Sequence, residues 1–299
     1  MNFPAVDWLN RRFGNPERIV FNQNEQELVY VTLACKYGAC EVLLQGAHVL
    51  QYRPVGLGPA LFVSKKSDFL PGKPVRGGIP VCWPWFGNHP TDPTQPKHGI
   101  ARILPWSVKS SEYSNEATEI VLGLTDTEVT RQLWPHAFDL RMRIRLEQSL
   151  LIELTCTNTG TETFEMAQAF HPYFQVGNIE EVSVLGLDQA RYFNRVTQED
   201  CVHTGPFRIA QALDWLMTPE KNECALVDEK VRRIIAMTYS GTRNINVWNP
   251  GPNSSFPDLA PEEYARFLCI EPANTRDTSI EMEPGSRHTL SMTIQVRLA

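Results

Sequence analysis

Residues 140–147 read LRMRIRLE. Leu140, Met142, Ile144 and Leu146 fall on one side of an extended chain; Arg141, Arg143, Arg145 and Glu147 fall on the other. Successive side chains of a strand point to opposite faces, whereas a helix would scatter this set around its circumference. The octet is therefore a strand with one apolar and one wet face, the pattern of antiparallel sheets. Ile152, Leu154 and Cys156 interleave with Glu153, Thr155 and Thr157 in the same way. Near the C-terminus, Leu290, Met292, Ile294, Val296 and Leu298 alternate with Thr289, Ser291, Thr293, Gln295 and Arg297.

Further strands are predicted at 27–35, 41–52, 60–64, 119–124, 182–187, 231–239 and 245–248. Turn chemistry separates them: TNTGTET at 157–163, NPGPN at 249–253 and EPGSR at 283–287. Helical patterning is confined to short pieces at 4–13, 126–133 and 261–265, the last opened by Pro261. No repeat, low-complexity tract or long linker divides the chain. The expected architecture is all-β: one large antiparallel β-sandwich domain over residues 1–299, with a few short helices and a helical segment at 1–15 packed on it. Its most irregular stretch is 66–105, rich in Pro, Gly and Trp, where binding and catalytic residues tend to gather.

Charge excludes some partners. Lys and Arg number 28 against 34 Asp and Glu, a net −6 with no basic tract, so neither nucleic acid nor an anionic membrane surface is an expected partner. The opening MNFPAVDWLNRRF lacks the basic and apolar regions of a secretory leader, and no apolar run is long enough to span a bilayer. Seven cysteines form an odd set without CxxC spacing and read as reduced core thiols of a cytoplasmic protein. The seven histidines make no HExxH or HxH pair, so no metal is expected. There is no GxGxxG, GxxxxGK[ST] or GxSxG, so no nucleotide cofactor or serine-hydrolase elbow is expected either.

Four stretches break the apolar pattern. In QAFHPYFQV, 168–176, His171 interrupts an aromatic run; two readings fit, a core histidine bonded to a carbonyl and a proton-transfer group. In FLCIEPAN, 267–274, Glu271 follows four apolar residues, where a carboxylate is costly unless paired. It reads as a salt-bridged strand end or as a general base in a cleft. In PVRGGIPVCWPWFG, 74–87, Arg76 leads a Gly-Gly pair, offering donors for phosphate or carboxylate beside a close backbone approach. Pairing with an acidic neighbour is the alternative. In KHGIAR, 97–102, Lys97, His98 and Arg102 make a patch suited to a small anion, although Lys97 also reads as a solvated loop residue.

Taken together and in this order, VRGGIPVCWPWFG, HGIAR, FHPYF and CIEPAN resemble the glucose-6-phosphate 1-epimerases, within the aldose 1-epimerase (galactose mutarotase-like) group. The resemblance runs from QGAHVL at 45–50 through the last strand, most of the chain. It implies a large antiparallel β-sandwich with a sugar cleft on one sheet. It implies His171 as general acid, Glu271 as general base, Arg76 and Arg102 as substrate and phosphate contacts, and His98 as a wall of the sugar site. Two positions depart from the pattern. Relatives often carry glutamine where this chain has Lys97, and aspartate in the segment matching RYFNRV, where it has Asn194. Both are substrate contacts in the family.

The implied activity is interconversion of the α and β anomers of hexose 6-phosphates, an isomerase reaction needing an acid and a base but no cofactor. The implied partner is a small-molecule sugar phosphate, and the protein is expected to be a monomer or weak dimer. An aldose 1-epimerase for neutral sugars, or a non-catalytic sugar-phosphate sensor, are the alternatives. A glycosidase is disfavoured because it needs two carboxylates and only Glu271 stands out.

Overall fold

The structure, a computed structural model, describes residues 4–205, 207–209 and 211–299. LRMRIRLE lies in the strand Phe138–Leu146, whose residues alternate strictly between buried and half-exposed. Its partners are Thr118–Thr125 and Leu150–Asn158, both antiparallel. With Ser107–Tyr113 beyond the first and Arg287–Leu298, Arg233–Ser240, Glu223–Asp228 and Val182–Leu185 beyond the second, they make an eight-stranded sheet. The three stretches read by alternation, 140–146, 152–157 and 289–298, all fall in strands of this sheet whose burial alternates.

The opposing eight-stranded sheet is built in the order Glu199–Val202, Arg191–Asn194, Leu213–Thr218, Asn244–Asn249, Phe267–Asn274, Gln168–Phe170 and Val81–Cys82, with Tyr173–Gln175 also paired to Phe267–Asn274. Leu268, Ile270, Ile245, Val247 and Phe170 from this sheet share one apolar core with Leu140, Met142, Ile152, Leu154, Leu290 and Met292 from the first. That is a β-sandwich, as expected. A four-stranded meander, Ile19–Gln23, Val29–Cys35, Gly38–Leu43 and His48–Pro54, packs into the same core. Short helices are Val6–Phe13, Glu128–Leu133 and the 3-10 turn Pro261–Arg266. Residues 1–3 of the expected N-terminal segment lie outside the described residues.

Two expected strands differ. The single strand expected at 41–52 is a hairpin, because Gly46 and Ala47 both take positive φ and turn the chain between Leu43 and His48. A Cβ on Gly46 would lie 2.6 Å from the Arg102 carbonyl oxygen, so the turn is also pressed against the KHGIAR segment. Residues 60–64 form isolated bridges, Leu61 to Phe174 and Val63 to Gly77, in place of a strand. They line the wall of the second sheet near Tyr173.

Candidate active site

The strand Phe267–Asn274 is buried at all eight positions. Leu268 and Ile270 face the sandwich core. The alternate residues Phe267 and Cys269 lie on the other face, in a second apolar cluster with Tyr173, Phe62 and Trp248. Period two carries Glu271 to that same face. It is therefore a mid-strand residue, fully buried, and not the strand end the apolar run suggested. Neighbouring strands bring their own residues over by register: Asn246 opposite Glu271, Trp248 opposite Cys269, Asp214 opposite Trp248 and Tyr173 opposite Cys269. His171 stands two residues before Tyr173, between two strands that both pair with Phe267–Asn274.

These side chains enclose a cavity of about 290 Å³ that Arg76, Lys97, His98, Arg102, His171 and Glu271 all line. His171 Nε2 lies 3.4 Å from Glu271 Oε1. The imidazole stacks on Tyr173 (centroids 4.9 Å apart, 14° between planes) and meets His98 and Trp248 edge-on. Asn246 Nδ2 donates to Glu271 Oε1 over 3.4 Å. His171 Nδ1, Glu271 Oε2, Asn246 Oδ1 and Arg102 Nε are buried with no hydrogen-bond partner among the described residues. Each such atom costs about 1–3 kcal/mol unless a ligand or water meets it.

Burial pushes the Glu271 carboxyl well above the usual carboxylate range, and the Asp214 charge adds to this. Burial, then the charges of Arg76 and Arg102, push His171 down to about 3. Both shifts favour the neutral forms, a protonated carboxyl beside a neutral imidazole. His98 is also pushed well below its ordinary value, by burial and by Arg102. Its Nδ1 accepts from the Gly87 amide at 3.2 Å, which fixes the tautomer and leaves Nε2–H as a donor.

The glycines do what their spacing suggested. A Cβ on Gly77 would sit 2.4 Å from the Phe62 carbonyl oxygen, and one on Gly78 2.4 Å from that of Val49, so only glycine lets Arg76 approach the sheet. The arginine's alternative reading is also realised. Asp258 accepts from Arg76 Nε (3.1 Å) and Nη2 (3.0 Å), Nη1 donates to the Tyr173 hydroxyl (3.1 Å), and the guanidinium lies over the Phe256 ring. Arg102 is less engaged: Nη2 donates to the Lys97 carbonyl at 2.6 Å.

Asn194 is not brought to the cavity, which corrects its expected place. It pairs with Trp215, one residue beyond Asp214, so its side chain takes the face opposite the site. Its Oδ1 accepts from the Val196 and Thr197 amides and closes a turn. The next residue, Arg195, lines the cavity instead, with Nε 4.0 Å from Asp214 Oδ1 and the guanidinium over Phe86. Asp214 corrects a second expectation, since the cavity holds two carboxylates. Asp214, Arg195, Asn246 and Trp248 were missed in the sequence. Asp214 carried the same signal as Glu271, a carboxylate set between apolar Leu213 and Trp215.

The sequence model of the aldose 1-epimerase family matches residues 30–295. The chain is similar to an Escherichia coli K12 protein provisionally named glucose-6-phosphate 1-epimerase, 35% identical over 262 residues that make up 85% of each chain. A Salmonella typhimurium LT2 protein of the same provisional name is 34% identical over 237 residues, 76% of this chain and 77% of its own. The crystal structure of a provisionally named mutarotase from Salmonella typhimurium superposes with a TM-score of 0.88 at 29% identity, covering 94% of both chains. The chain belongs to the aldose 1-epimerase family.

Proposed function

We propose that the protein interconverts the α and β anomers of hexose 6-phosphates, with glucose 6-phosphate as the foremost substrate. One observation carries the reading: a buried imidazole–carboxyl pair 3.4 Å apart shares its cavity with four cationic side chains, Arg76, Lys97, Arg102 and Arg195. A neutral aldose needs the pair but offers no anion to Lys97 and Arg102, which have no carboxylate partner among the described residues, whereas Arg76 and Arg195 face Asp258 and Asp214. The names of the relatives from Escherichia coli and Salmonella typhimurium point the same way.

Ring opening removes the C1 hydroxyl proton and adds one to the ring oxygen. Rotation of the open aldehyde about its bond to C2 and closure on the other face invert C1. Glu271 acts as base and His171 as acid, exchanging roles in the reverse direction. Each positioned proton transfer is worth about 10²–10⁴-fold in rate. Burial favours the proton on Glu271 in the free site, so these roles call for a shift of that proton toward His171. A phosphate dianion among the cations supplies the lever. It offsets the arginine charges that add to burial in holding the imidazole down, so substrate binding shifts the pair toward His171⁺ beside Glu271⁻. A neutral sugar brings no such change.

The test is NMR exchange spectroscopy on equilibrated α and β glucose 6-phosphate, with glucose and galactose as controls. Enhanced exchange for the phosphosugar alone is the expected result. Equal enhancement for all three sugars overturns the phosphate assignment, and no enhancement for any of them in a folded sample that binds sugar phosphate favours a sensor.

A further inference from the structure

Cys269 has no part in the chemistry above, yet it sits against it. As alternate residues of one strand, Cys269 and Glu271 project to the same face, and register sets Tyr173 opposite Cys269 with His171 beside it. A ring nitrogen of His171, Sγ of Cys269 and a carboxylate oxygen of Glu271 all lie within 4.8 Å of one another, and all three residues are buried. The thiol is free, and it packs among Tyr173, Phe267 and Trp248. From these juxtaposed donors we infer that His171, Cys269 and Glu271 form a three-ligand site for a thiophilic divalent cation of the zinc class, which shuts off the acid–base pair when it binds.

The donor set fits such an ion. Imidazole, thiolate and carboxylate are its usual ligands, at about 2.0–2.3 Å, which places tetrahedral ligand atoms on the order of 3.5 Å apart. His171 Nε2 and Glu271 Oε1 are already at 3.4 Å, so the thiol side of the triangle has the furthest to close. Glu271 Oε2, on a fully buried carboxyl group, is unpartnered among the described residues, which leaves this carboxylate an oxygen free to ligate. Charge also balances. Thiolate and carboxylate contribute −2 against the ion's +2, and the protons they give up leave for solvent. Arg76, Arg102, Arg195 and Lys97, which face the site from other segments, therefore meet no added net charge. His171 and Glu271 line the cavity while Cys269 is fully buried beside them, so a fourth ligand would come from the cavity. Hard cations such as Mg²⁺ are excluded by the thiol and by the small number of oxygens.

The binding half of this inference stands on geometry alone; the inhibition half rests on the proposed epimerase activity. Cobalt(II) titration of the full-length protein separates them, because a cobalt–thiolate bond has its own charge-transfer absorption. Wild type is expected to bind one equivalent with that band. Cys269→Ala and Cys269→Ser are expected to lose the band, and Cys201→Ala, which removes the half-exposed thiol elsewhere, to keep it. Zinc is expected to stop anomer exchange and a chelator to restore it. Cys269→Ala, active without metal, should need at least about tenfold more zinc for half-inhibition, since even outer partners of a metal ligand are worth 10–100-fold in affinity. If folding fails in Cys269→Ala, the nearly isosteric Cys269→Ser carries the same expectations. A wild-type protein without the band, a band that survives in both Cys269 variants, or an unchanged half-inhibiting zinc concentration would overturn the site. A cobalt band lost on Cys269 substitution, in a protein that epimerises no sugar, would leave the site standing and sink the functional reading instead.

Discussion

Strands Phe138–Leu146 and Phe267–Asn274 lie in opposing sheets of one sandwich, and their polar residues have opposite fates. In the first, each outward arginine has found a carboxylate: Arg141 meets Asp139, Arg143 bridges Glu119 and Glu153, and Arg145 meets Glu147 and Glu119. Those pairs are solvated, and the arginines are 33–40% exposed. In the second, both faces are covered, and Glu271 keeps one oxygen without a partner. A charged residue on a wet face needs only its neighbours to explain it. One beneath a roof of other segments needs a task.

Substituting Glu271 gives the largest contrast. Glu271→Gln keeps the shape of the side chain and the neutral form that burial favours. We expect anomer exchange to fall by about 10²–10⁴-fold, while thermal unfolding near neutral pH stays at the wild-type temperature or rises. An enzyme that kept its exchange rate would end the assignment of Glu271 as base.

The anion grip comes next. Arg76 is saturated by Asp258 and Tyr173, whereas Arg102 keeps a buried, unpartnered Nε. Arg102→Ala should therefore raise KM for glucose 6-phosphate by about 10–100-fold, the worth of a charge-assisted hydrogen bond of about 1.5–3 kcal/mol. Arg76→Ala should raise it less and should also release the Asp258 segment from the cavity wall. Steady-state kinetics of the two variants decide this, and a larger effect at Arg76 would mean that phosphate displaces Asp258.

How far the sequence could be read follows the same division. Alternation announced Phe138–Leu146 because water stands on one side of it. In Phe267–Asn274 the chain is apolar on both faces at Leu268, Cys269 and Ile270, so the period vanishes and Glu271 looked like a strand end. His171, Glu271, His98, Arg76, Arg102 and Lys97 do converge on one cavity. The clue was chemical misfit in each local stretch, strengthened by the family likeness. Asn194 failed for a geometric reason, since a shift of one residue turns a side chain to the other face, and only strand register shows that Arg195 has the inward position. Asp258 had no local signal at all. It reaches Arg76 across 182 residues of chain, from a loop whose course follows no repeating pattern.

Stability against pH separates the strands more gently. Glu271 has a folded pKa above its ordinary 4.5, so its contribution is complete below that value and is lost as pH rises through the folded pKa. His171 works oppositely. With its folded value near 3 against 6.5, its contribution is present above 6.5 and is lost as pH falls toward 3. Above pH 6.5 the histidine is silent, so the stability of wild type relative to Glu271→Gln should decline with rising pH, by at most about 1.4 kcal/mol per unit. Urea unfolding of both proteins across that range measures the slope, and a flat difference would mean that Glu271 is already ionised in the free site.

The smallest effect belongs to the solvated ladder. Arg143→Ala removes contacts to Glu119 (2.8 Å) and Glu153 (2.7 Å) on the wet face. Arg143 is 39% exposed, and exposed ion pairs are worth about 0.2–1 kcal/mol each before salt screens them. Glu119 also keeps Arg145 at 3.3 Å, so only Glu153 loses its partner outright. The variant should unfold within about 1 kcal/mol of wild type, with the difference shrinking at high salt and anomer exchange untouched. A loss several times larger, or one insensitive to salt, would mean that the stem of Arg143 packs against its cross-strand neighbours, and that the wet face is drier than its charges imply.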